Sequence, residues 1–268
     1  SHDIDVVINY MPVGSQEAVE FYLGACIEAA VPFVNCMPVF IVSDPVWEAK
    51  IKAAGIPAIG DDMRSQLGAS VLSQALQELF FNRGMHVKFH EQTNHGGNTD
   101  FLNMMDQSRL ASKKISKENV IRSQNDIRGI PVPKNGIYAG PSSYIAYHGD
   151  NKVAHFRIEA EGFGGAPVTF DARLSVQDSP NSAGVVIDAI RYLMVAREMG
   201  MVGSLRGPSA ATQKTPIQQL MIDDAQKECI ALANREWTEI TSKYNKPENS
   251  IDIDVNRTNY LKGFEING

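Results

Sequence analysis

The residues of this chain best equipped for chemistry lie in one stretch, Asn94 to Lys117, which reads NHGGNTDFLNMMDQSRLASKKISK. A polar, glycine-bearing loop with Asn94, Gly96, Gly97, Asn98 and Asp100 leads into a segment where Arg109, Lys113 and Lys117 recur every four residues. On a helix, positions four apart rotate by about 40°, so the three cations would share one face. Like charges at that spacing repel by roughly a few tenths of a kcal/mol per pair, and no acid interrupts the row. An anionic ligand or a buried carboxylate would offset that repulsion. A solvated, lysine-rich surface helix is the plain alternative.

A second polar cluster, Gly60-Asp61-Asp62-Met63-Arg64-Ser65-Gln66-Leu67-Gly68, runs into the helical apolar pattern of Val71, Leu72, Ala75, Leu76, Leu79 and Phe80. Backbone N–H groups and hydroxyls at such a helix start favour anions, and Ser65 sits where it could help. The paired carboxylates fit helix capping equally well. His90 and His95 flank Glu91 without metal-ligand spacing and read as surface or core histidines. Cys26, Cys36 and Cys229 are widely spaced and odd in number, the pattern of free thiols in a reducing compartment. There is no GxSxG segment for a serine nucleophile.

The elements that must position these residues change character along the chain. Asp5 to Tyr10 reads as a strand and Ala18 to Ala30 as a helix started near Ser15. Pro32 to Asn35 reads as a second strand and Val39 to Val42 as a third short apolar run. A helix opens at Asp44-Pro45 and closes at Gly55 before the strand-like Ile56 to Ile59. Strand and helix in alternation indicate an open parallel sheet. After Gly84, Met85 to Phe89 reads as a strand leading into the opening motif. Arg128 to Pro141 reads as loop. Tyr144 to Tyr147, Lys152 to Glu159 and Val168 to Val176 follow as strands, the first two joined in a hairpin at His148 to Asn151. This block has antiparallel character. A loop from Asp178 to Gly184 then precedes an apolar helix over Val185 to Met199. A loop with Pro208 and Pro216 carries Lys214, and one amphipathic helix runs from Ile217 to Tyr244 before a polar, extended tail from Asn245.

With 268 residues, 43% hydrophobic and 21% charged, the composition is that of a soluble globular protein with one large or two ordinary cores. A net charge of −6 argues against a general nucleic-acid binder. No apolar run is long enough for a membrane span and no signal peptide is recognisable, so a cytoplasmic protein is expected. Ser1-His2 resembles a tag remnant and is left out of the fold reading.

Several stretches together resemble the myo-inositol-1-phosphate synthase (inositol-3-phosphate synthase) family, most closely its actinobacterial-type members. They are YMPVGSQEAVEFY, AAVPFVN, SDPVWEAK, GDDMRSQLGAS, NHGGNTDFLNM, SKKISK, DNKVA and DSPNSAGVVIDAIR, in unbroken order over roughly Asp5 to Leu220. The resemblance implies an NAD-dependent isomerase that converts D-glucose 6-phosphate to 1D-myo-inositol 3-phosphate by oxidation, enolisation, intramolecular aldol closure and reduction, within inositol and phospholipid biosynthesis. It implies a homotetramer, and leaves open a divalent or monovalent cation as an additional cofactor.

Carried over by position, the family pattern falls on Lys113, Lys117, Lys152 and Lys214, on Asp62, Asp100, Asp150 and Asp178, and on Asn94. By that resemblance Lys113 and Lys152 stabilise charge at the reacting oxygens, near C5 and C1. Lys117 and Lys214 share phosphate holding and proton relay, Asp62 and Asp178 orient the lysines, and Ser65 and Gln66 grip the phosphate. Pro12, Gly14, Ser15, Asp178 and Ser179 match positions near the nicotinamide. Arg64 stands where lysine is usual, and an arginine neither gives nor takes a proton near neutrality.

The family's glycine-rich NAD loop has no counterpart here, because no GxGxxG occurs in these residues. The expectation is that this segment is missing upstream or comes from a separate chain. The expected fold is therefore α/β. Residues 3–59 and 182–268 would form a discontinuous, partial Rossmann-like parallel-sheet domain, and residues 60–181 an inserted α+β catalytic and tetramerisation domain. Two rival functions share these residues: a cofactor-independent, lysine-assisted sugar-phosphate enzyme, and a non-enzymatic sugar-phosphate-binding or assembly protein.

Overall fold

A computed structural model describes residues 3–104, 118, 121, 122, 125–130, 132, 133 and 135–247. The elements run β1 (Val7–Asn9), α1 (Gln16–Glu28), β2 (Phe33–Asn35), α2 (Pro45–Ala53), β3 (Pro57–Ile59), α3 (Ala69–Asn82), β4 (His86–Gly96) and α4 (Thr99–Asn103). They continue with β5 (Ile137–Tyr144), β6 (Asn151–Glu161), β7 (Pro167–Gln177), α5 (Asp178–Glu198), β8 (Gly203–Ser204), α6 (Arg206–Thr212), α7 (Ile222–Ala233) and α8 (Glu239–Tyr244). No helix among the described residues is long and apolar enough to cross a membrane.

One sheet has the order β1-β2-β3-β8, and all its pairings are parallel. Its strands are short and apolar, so alternate residues feed two separate layers. Phe33 and Ala58 pack with Val19 and Leu23 of α1 and Ile51 of α2. Val34 and Ile59 pack with Val186, Ala189 and Leu193 of α5 and Leu232 of α7. Helices on both faces make this part doubly wound. Past β8, Asn245 bonds Val202 through its backbone and the carbonyls of Val202 and Ser204 through its side chain, at 2.9–3.0 Å. The tail, read as polar and extended, thus begins with a fully buried residue.

The second sheet has the order β5-β4-β6-β7. α3 packs against it through Leu76 and Phe80, which meet Val87, Ile158 and Ala160. β5 is parallel to β4, while β4–β6 and β6–β7 are antiparallel. The hairpin expected at His148 to Asn151 is therefore not formed. β5 and β6 flank β4 on opposite sides, and the link between them crosses over at Gly97, whose N–H bonds the Gly149 carbonyl at 3.1 Å. A side chain at Gly97 would come within 2.4 Å of the Ile145 carbonyl oxygen.

Other expected boundaries shift for local reasons. The apolar run Val39 to Val42 is a largely buried loop. α5 begins at Asp178 and α6 contains Pro208. Pro180 and Pro208 sit in first turns, where the missing N–H has no intrahelical acceptor to lose. The single helix expected over Ile217 to Tyr244 breaks into α7 and α8 where Arg235 takes φ 61°.

Of the two adjacent carboxylates, Asp61 is structural. It is fully buried, and it accepts from Asn35 Nδ2, from the backbone N–H groups of Ile41, Val42 and Ser43, and from Ser43 Oγ, all within 2.7–3.1 Å. Asn35 in turn accepts from Asn9 Nδ2 at 2.7 Å. One carboxylate thus ties the carboxyl ends of β1, β2 and β3 together, and it holds the 41–43 segment as a loop.

The face of α3 that meets β4 is polar near its start. His90 is fully buried between Ser73 Oγ, 3.0 Å from Nε2, and Gln77 Nε2, 2.7 Å from Nδ1. Burial pushes its pKa down to about 4.

Asp61→Ala strands these buried donors, and unfolding in urea should register a loss of about 3 kcal/mol or more. Asp61→Asn also loses stability, because its amide turns a donor toward donors. His90 gives the opposite kind of signal. The unfolded imidazole takes a proton at about pH 6.5 while the folded one resists until about pH 4, so the unfolded state binds more protons in that window. Stability is full above about pH 6.5 and falls as pH drops toward 4, by up to about 3 kcal/mol from this residue. Urea midpoints of His90→Gln across that range should show a shallower fall than the parent, and equal slopes would refute the assignment.

Candidate active site

The carboxyl ends of β1, β2 and β3 open onto a cavity of about 700 Å3, the position where doubly wound sheets bind ligands. Three walls enclose it: the loops after β1 and β2, the first turns of α3 and α5, and the ends of β4 and β6 with α4. Tyr10 spans two of these walls, its hydroxyl 3.1 Å from Ser182 Oγ.

Two lysine–aspartate pairs face the cavity from opposite sides. The segment from Asp61 to Arg64 runs beside Thr212 to Thr215. Asp61 and Thr215 exchange backbone bonds at 3.0 Å, Lys214 N–H reaches the Asp62 carbonyl at 2.7 Å, and Arg64 N–H reaches Thr212 at 2.8 Å. This pairing sets Lys214 Nζ 2.6 Å from Asp62 Oδ1, both largely buried. Opposite, Lys152 projects from the start of β6, 3.1 Å from Asp178 Oδ1 at the first residue of α5. Its ammonium also lies 5.8 Å from the centre of the Phe101 ring.

That ring packs close against Gly96, where an added Cβ would approach it to 2.4 Å. The two glycines of NHGGN therefore serve close approach, Gly96 to Phe101 and Gly97 to the crossing link. Asn98 caps α4 by accepting from Phe101 N–H at 3.2 Å. Its Nδ2 lies 3.3 Å from both Asp150 Oδ1 and Asp178 Oδ2. Asp150 itself does not line the cavity. It caps α5, accepting from Ser179 N–H at 3.0 Å and Ser179 Oγ at 2.7 Å. Desolvation acts to raise its pKa, but these bonds, with Asn98 and the Lys152 charge, outweigh it and the net direction is down.

The remaining residues of interest divide. Ser65, Asn94, Asp100, Pro12 and Ser179 line the cavity; Gln66, Gly14 and Ser15 do not. Gly14 takes φ 91° in the turn before α1, and Ser15 precedes that helix without a side-chain cap. The backbone N–H groups of Gln66 and Leu67, at the expected phosphate grip, are already taken by the carbonyl and side chain of Asn181, at 2.8 and 3.0 Å. The first turn of α3, Gly68 to Val71, lines the cavity instead, and N–H groups of a first turn have no intrahelical acceptor.

Arg64 is buried, off the cavity, with Nη1 2.9 Å from Gln74 Oε1. Burial lowers its pKa to about 10 against the pull of Asp62. Lys113 and Lys117, with Arg109, lie outside the described residues. Among the described residues no group of three or more His, Cys, Asp or Glu side chains is arranged to hold a metal.

Asn181 and Gln92 are not among the site residues read from the sequence, and Asn98 appears there only as part of the polar loop. Asn98 carried a signal, since an Asn ahead of Thr-Asp and an apolar residue is a helix-cap pattern. Gln92 carried a fainter one, a buried amide on the alternation that ends at Asn94. Asn181 lies within the quoted DSPNSAG stretch, but nothing local names its partners Gln66 and Leu67, which lie far away in the chain.

The description "Myo-inositol-1-phosphate synthase" belongs to the family model that matches residues 68–179. Inositol-3-phosphate synthase of Mycolicibacterium smegmatis is 44% identical over 228 residues, covering 84% of this chain and 62% of that protein. The Corynebacterium glutamicum protein of the same name is 44% identical over 226 residues, covering 83% of this chain and 62% of its own length. This chain thus spans less than two thirds of these relatives. Among solved structures, a myo-inositol-1-phosphate synthase-related protein from Thermotoga maritima superposes with a TM-score of 0.74 at 25% identity, covering 88% of this chain and 68% of that one. The matched motifs, the identity to these relatives and the shared α/β architecture agree: the chain belongs to the myo-inositol-1-phosphate synthase family.

Proposed function

We propose that this chain forms the substrate-handling part of an inositol-3-phosphate synthase, an isomerase acting on D-glucose 6-phosphate. The observation that carries this reading is the pair of lysine–aspartate contacts, Lys152–Asp178 and Lys214–Asp62, facing one cavity from two different walls. Fixed ammonium groups in a partly water-excluded site stabilise oxygens that gain negative charge. In this reading Lys152 holds positive charge at a reacting oxygen, and Lys214 shares phosphate holding and proton relay. Asp178 and Asp62 keep the two ammonium groups aimed. Ser65 and the first turn of α3 contribute donors to the phosphate. Gln66 contributes no backbone donor, because Asn181 has taken it. Lys113 and Lys117 complete the cationic set by resemblance alone.

The cavity fits the nicotinamide end of NAD. Pro12, Met37, Val186 and Ile187 give it an apolar wall beside the carboxyl ends of the strands. When bound, NAD supplies hydride acceptance and return. The grip for its pyrophosphate is assigned to a segment outside these residues, supplied upstream or by another chain. The roles of Gly14 and Ser15 in this reading are limited to shaping the loop after β1. A homotetramer is part of the proposal, supported by the open, polar face of the second sheet around His155, Arg157 and Arg173 and by the fully exposed Tyr147 and Phe163 at its ends. The division at residues 60 and 182 is also proposed. It is supported by strand membership, since the parallel sheet draws on residues 7–59 and 203–204 and the mixed sheet on 86–177.

The test is turnover of glucose 6-phosphate by the full-length protein with and without NAD. We expect inositol phosphate only with NAD, and a fall in kcat of about 100-fold or more in Lys152→Ala. Lys214→Ala should raise KM as well as lower kcat, since it loses a phosphate contact. Product without NAD would replace this reading with a cofactor-independent enzyme. Tight binding with no product under any condition would replace it with a sugar-phosphate binder.

A further inference from the structure

The buried face of α3 near the cavity is made of amides and hydroxyls where a helix on a sheet normally presents aliphatic side chains. These groups form a chain. Gln77 Nε2 lies 2.7 Å from His90 Nδ1, and His90 Nε2 lies 3.0 Å from Ser73 Oγ. Ser73 Oγ lies 2.9 Å from Gln92 Oε1, Gln92 Nε2 a longer 3.4 Å from Asn94 Oδ1, and Asn94 Nδ2 2.9 Å from the Gly140 carbonyl oxygen. All five side chains are at most 2% exposed. The last two members, Gln92 and Asn94, line the cavity.

The far end decides the direction. The Gly140 carbonyl can only accept, so Asn94 must turn Nδ2 toward it and Oδ1 toward Gln92. Gln92 then donates through Nε2 and accepts through Oε1, which obliges the Ser73 hydroxyl to donate to it. Ser73 oxygen is left to accept, so His90 carries its proton on Nε2 and accepts at Nδ1 from Gln77. Every link points the same way. The neutral imidazole this requires agrees with the downward shift that burial imposes on His90. The arrangement leaves Gln77 Oε1 buried without a partner, a destabilising feature that an apolar interface would avoid.

We propose that Ser73 and His90 are positioning residues for the proposed synthase reaction, acting through the cavity-lining amides of Gln92 and Asn94. Their one-way hydrogen-bond chain fixes which end of the Asn94 amide is offered to a ligand oxygen in the cavity. The proposal rests on the synthase reading for the identity of that ligand, and on geometry alone for the chain. One Nδ2 proton of Asn94 is held by Gly140, and the second is directed by the same orientation.

Two variants test it in the full-length protein. Ser73→Ala removes the middle link without adding bulk, and Gln92→Glu keeps the shape but, when ionised, can only accept. Both should lower kcat for glucose 6-phosphate by about tenfold or more while KM changes less than about threefold, since a displaced amide costs rate before it costs binding. In ligand-free protein with 15N-labelled asparagine, the Asn94 side-chain protons should exchange at least about tenfold faster in Ser73→Ala than in the parent. Unchanged exchange overturns the ordering chain, whether or not the enzyme turns over. Faster exchange with unchanged kcat, or a loss confined to KM, overturns the positioning role. If Gln92→Glu does not fold, Ser73→Ala decides alone. A parent protein that makes no inositol phosphate refutes the synthase reading and with it the positioning role, and the exchange measurement still decides the chain.

Discussion

The carboxylate of Asp61 is the constraint on which the cavity depends. Three parallel strands of three residues each cannot hold their loops in place by ladder bonds alone. Asp61 gathers donors from the end of β2 and from the loop that follows it, and Asn9 joins from β1 through Asn35. With Asp61 fixed, its backbone exchanges bonds with Thr215, so Asp62 and Lys214 meet across the cavity wall. A buried carboxylate surrounded by donors thus positions a cavity-facing pair without joining it. Desolvation raises the pKa of Asp61 to about 6 while its donors pull the other way, and removing the donors' acceptor is therefore worse than removing its charge.

The opposite wall follows the same logic with different parts. Asp150 caps α5, Asn98 bridges Asp150 and Asp178, and Asp178 holds Lys152. Each lysine is aimed by a carboxylate that is itself restrained from another element. Such second partners convert a flexible four-carbon stem into a directed charge. The glycines at 96 and 97 let Phe101 and the crossing link close on this wall without steric conflict.

Much of this was legible from the chain. The alternation of strand and helix up to Ile59, and the motif stretches around Asp62, Asn94, Lys152 and Asp178, mark the parallel sheet and bring attention to residues that the fold gathers at one cavity. The misreadings have physical causes. Arg128 to Pro141 reads as loop because Pro133, Gly136 and Pro141 mask the first part of β5, whose pairing with β4 is parallel and long-range. Val39 to Val42 is an apolar run, yet it forms no strand, because the N–H groups of Ile41 and Val42 go to the Asp61 side chain and that of Val39 to the Met37 carbonyl, which no periodicity can report. The residue types alone do not separate the adjacent Asp61 and Asp62; the resemblance singles out Asp62, and the fold turns Asp61 into the core and Asp62 toward Lys214. Asn181 illustrates the limit most clearly, since nothing local names Leu67 as the residue that its amide clamps from the first turn of α5.

Charge balance gives the stretch from Asn94 to Lys117 a sharper meaning. Among the described residues that line the cavity, Lys152 and Lys214 stand against Asp62, Asp100 and Asp178. Two cations facing three carboxylates leave that set one unit negative, an unfavourable surrounding for a phosphate dianion whatever donors α3 adds. A sugar phosphate in this cavity therefore calls for cations beyond that set. Arg64 is not one of them, because it is buried away from the cavity and held to Gln74. The sequence supplies such charge in the row Arg109, Lys113 and Lys117, directly after the α4 segment that forms part of the cavity wall. A row of like charges is unfavourable on a solvated helix. In the proposed reading that row, known from the sequence alone, is where the balancing positive charge would come from.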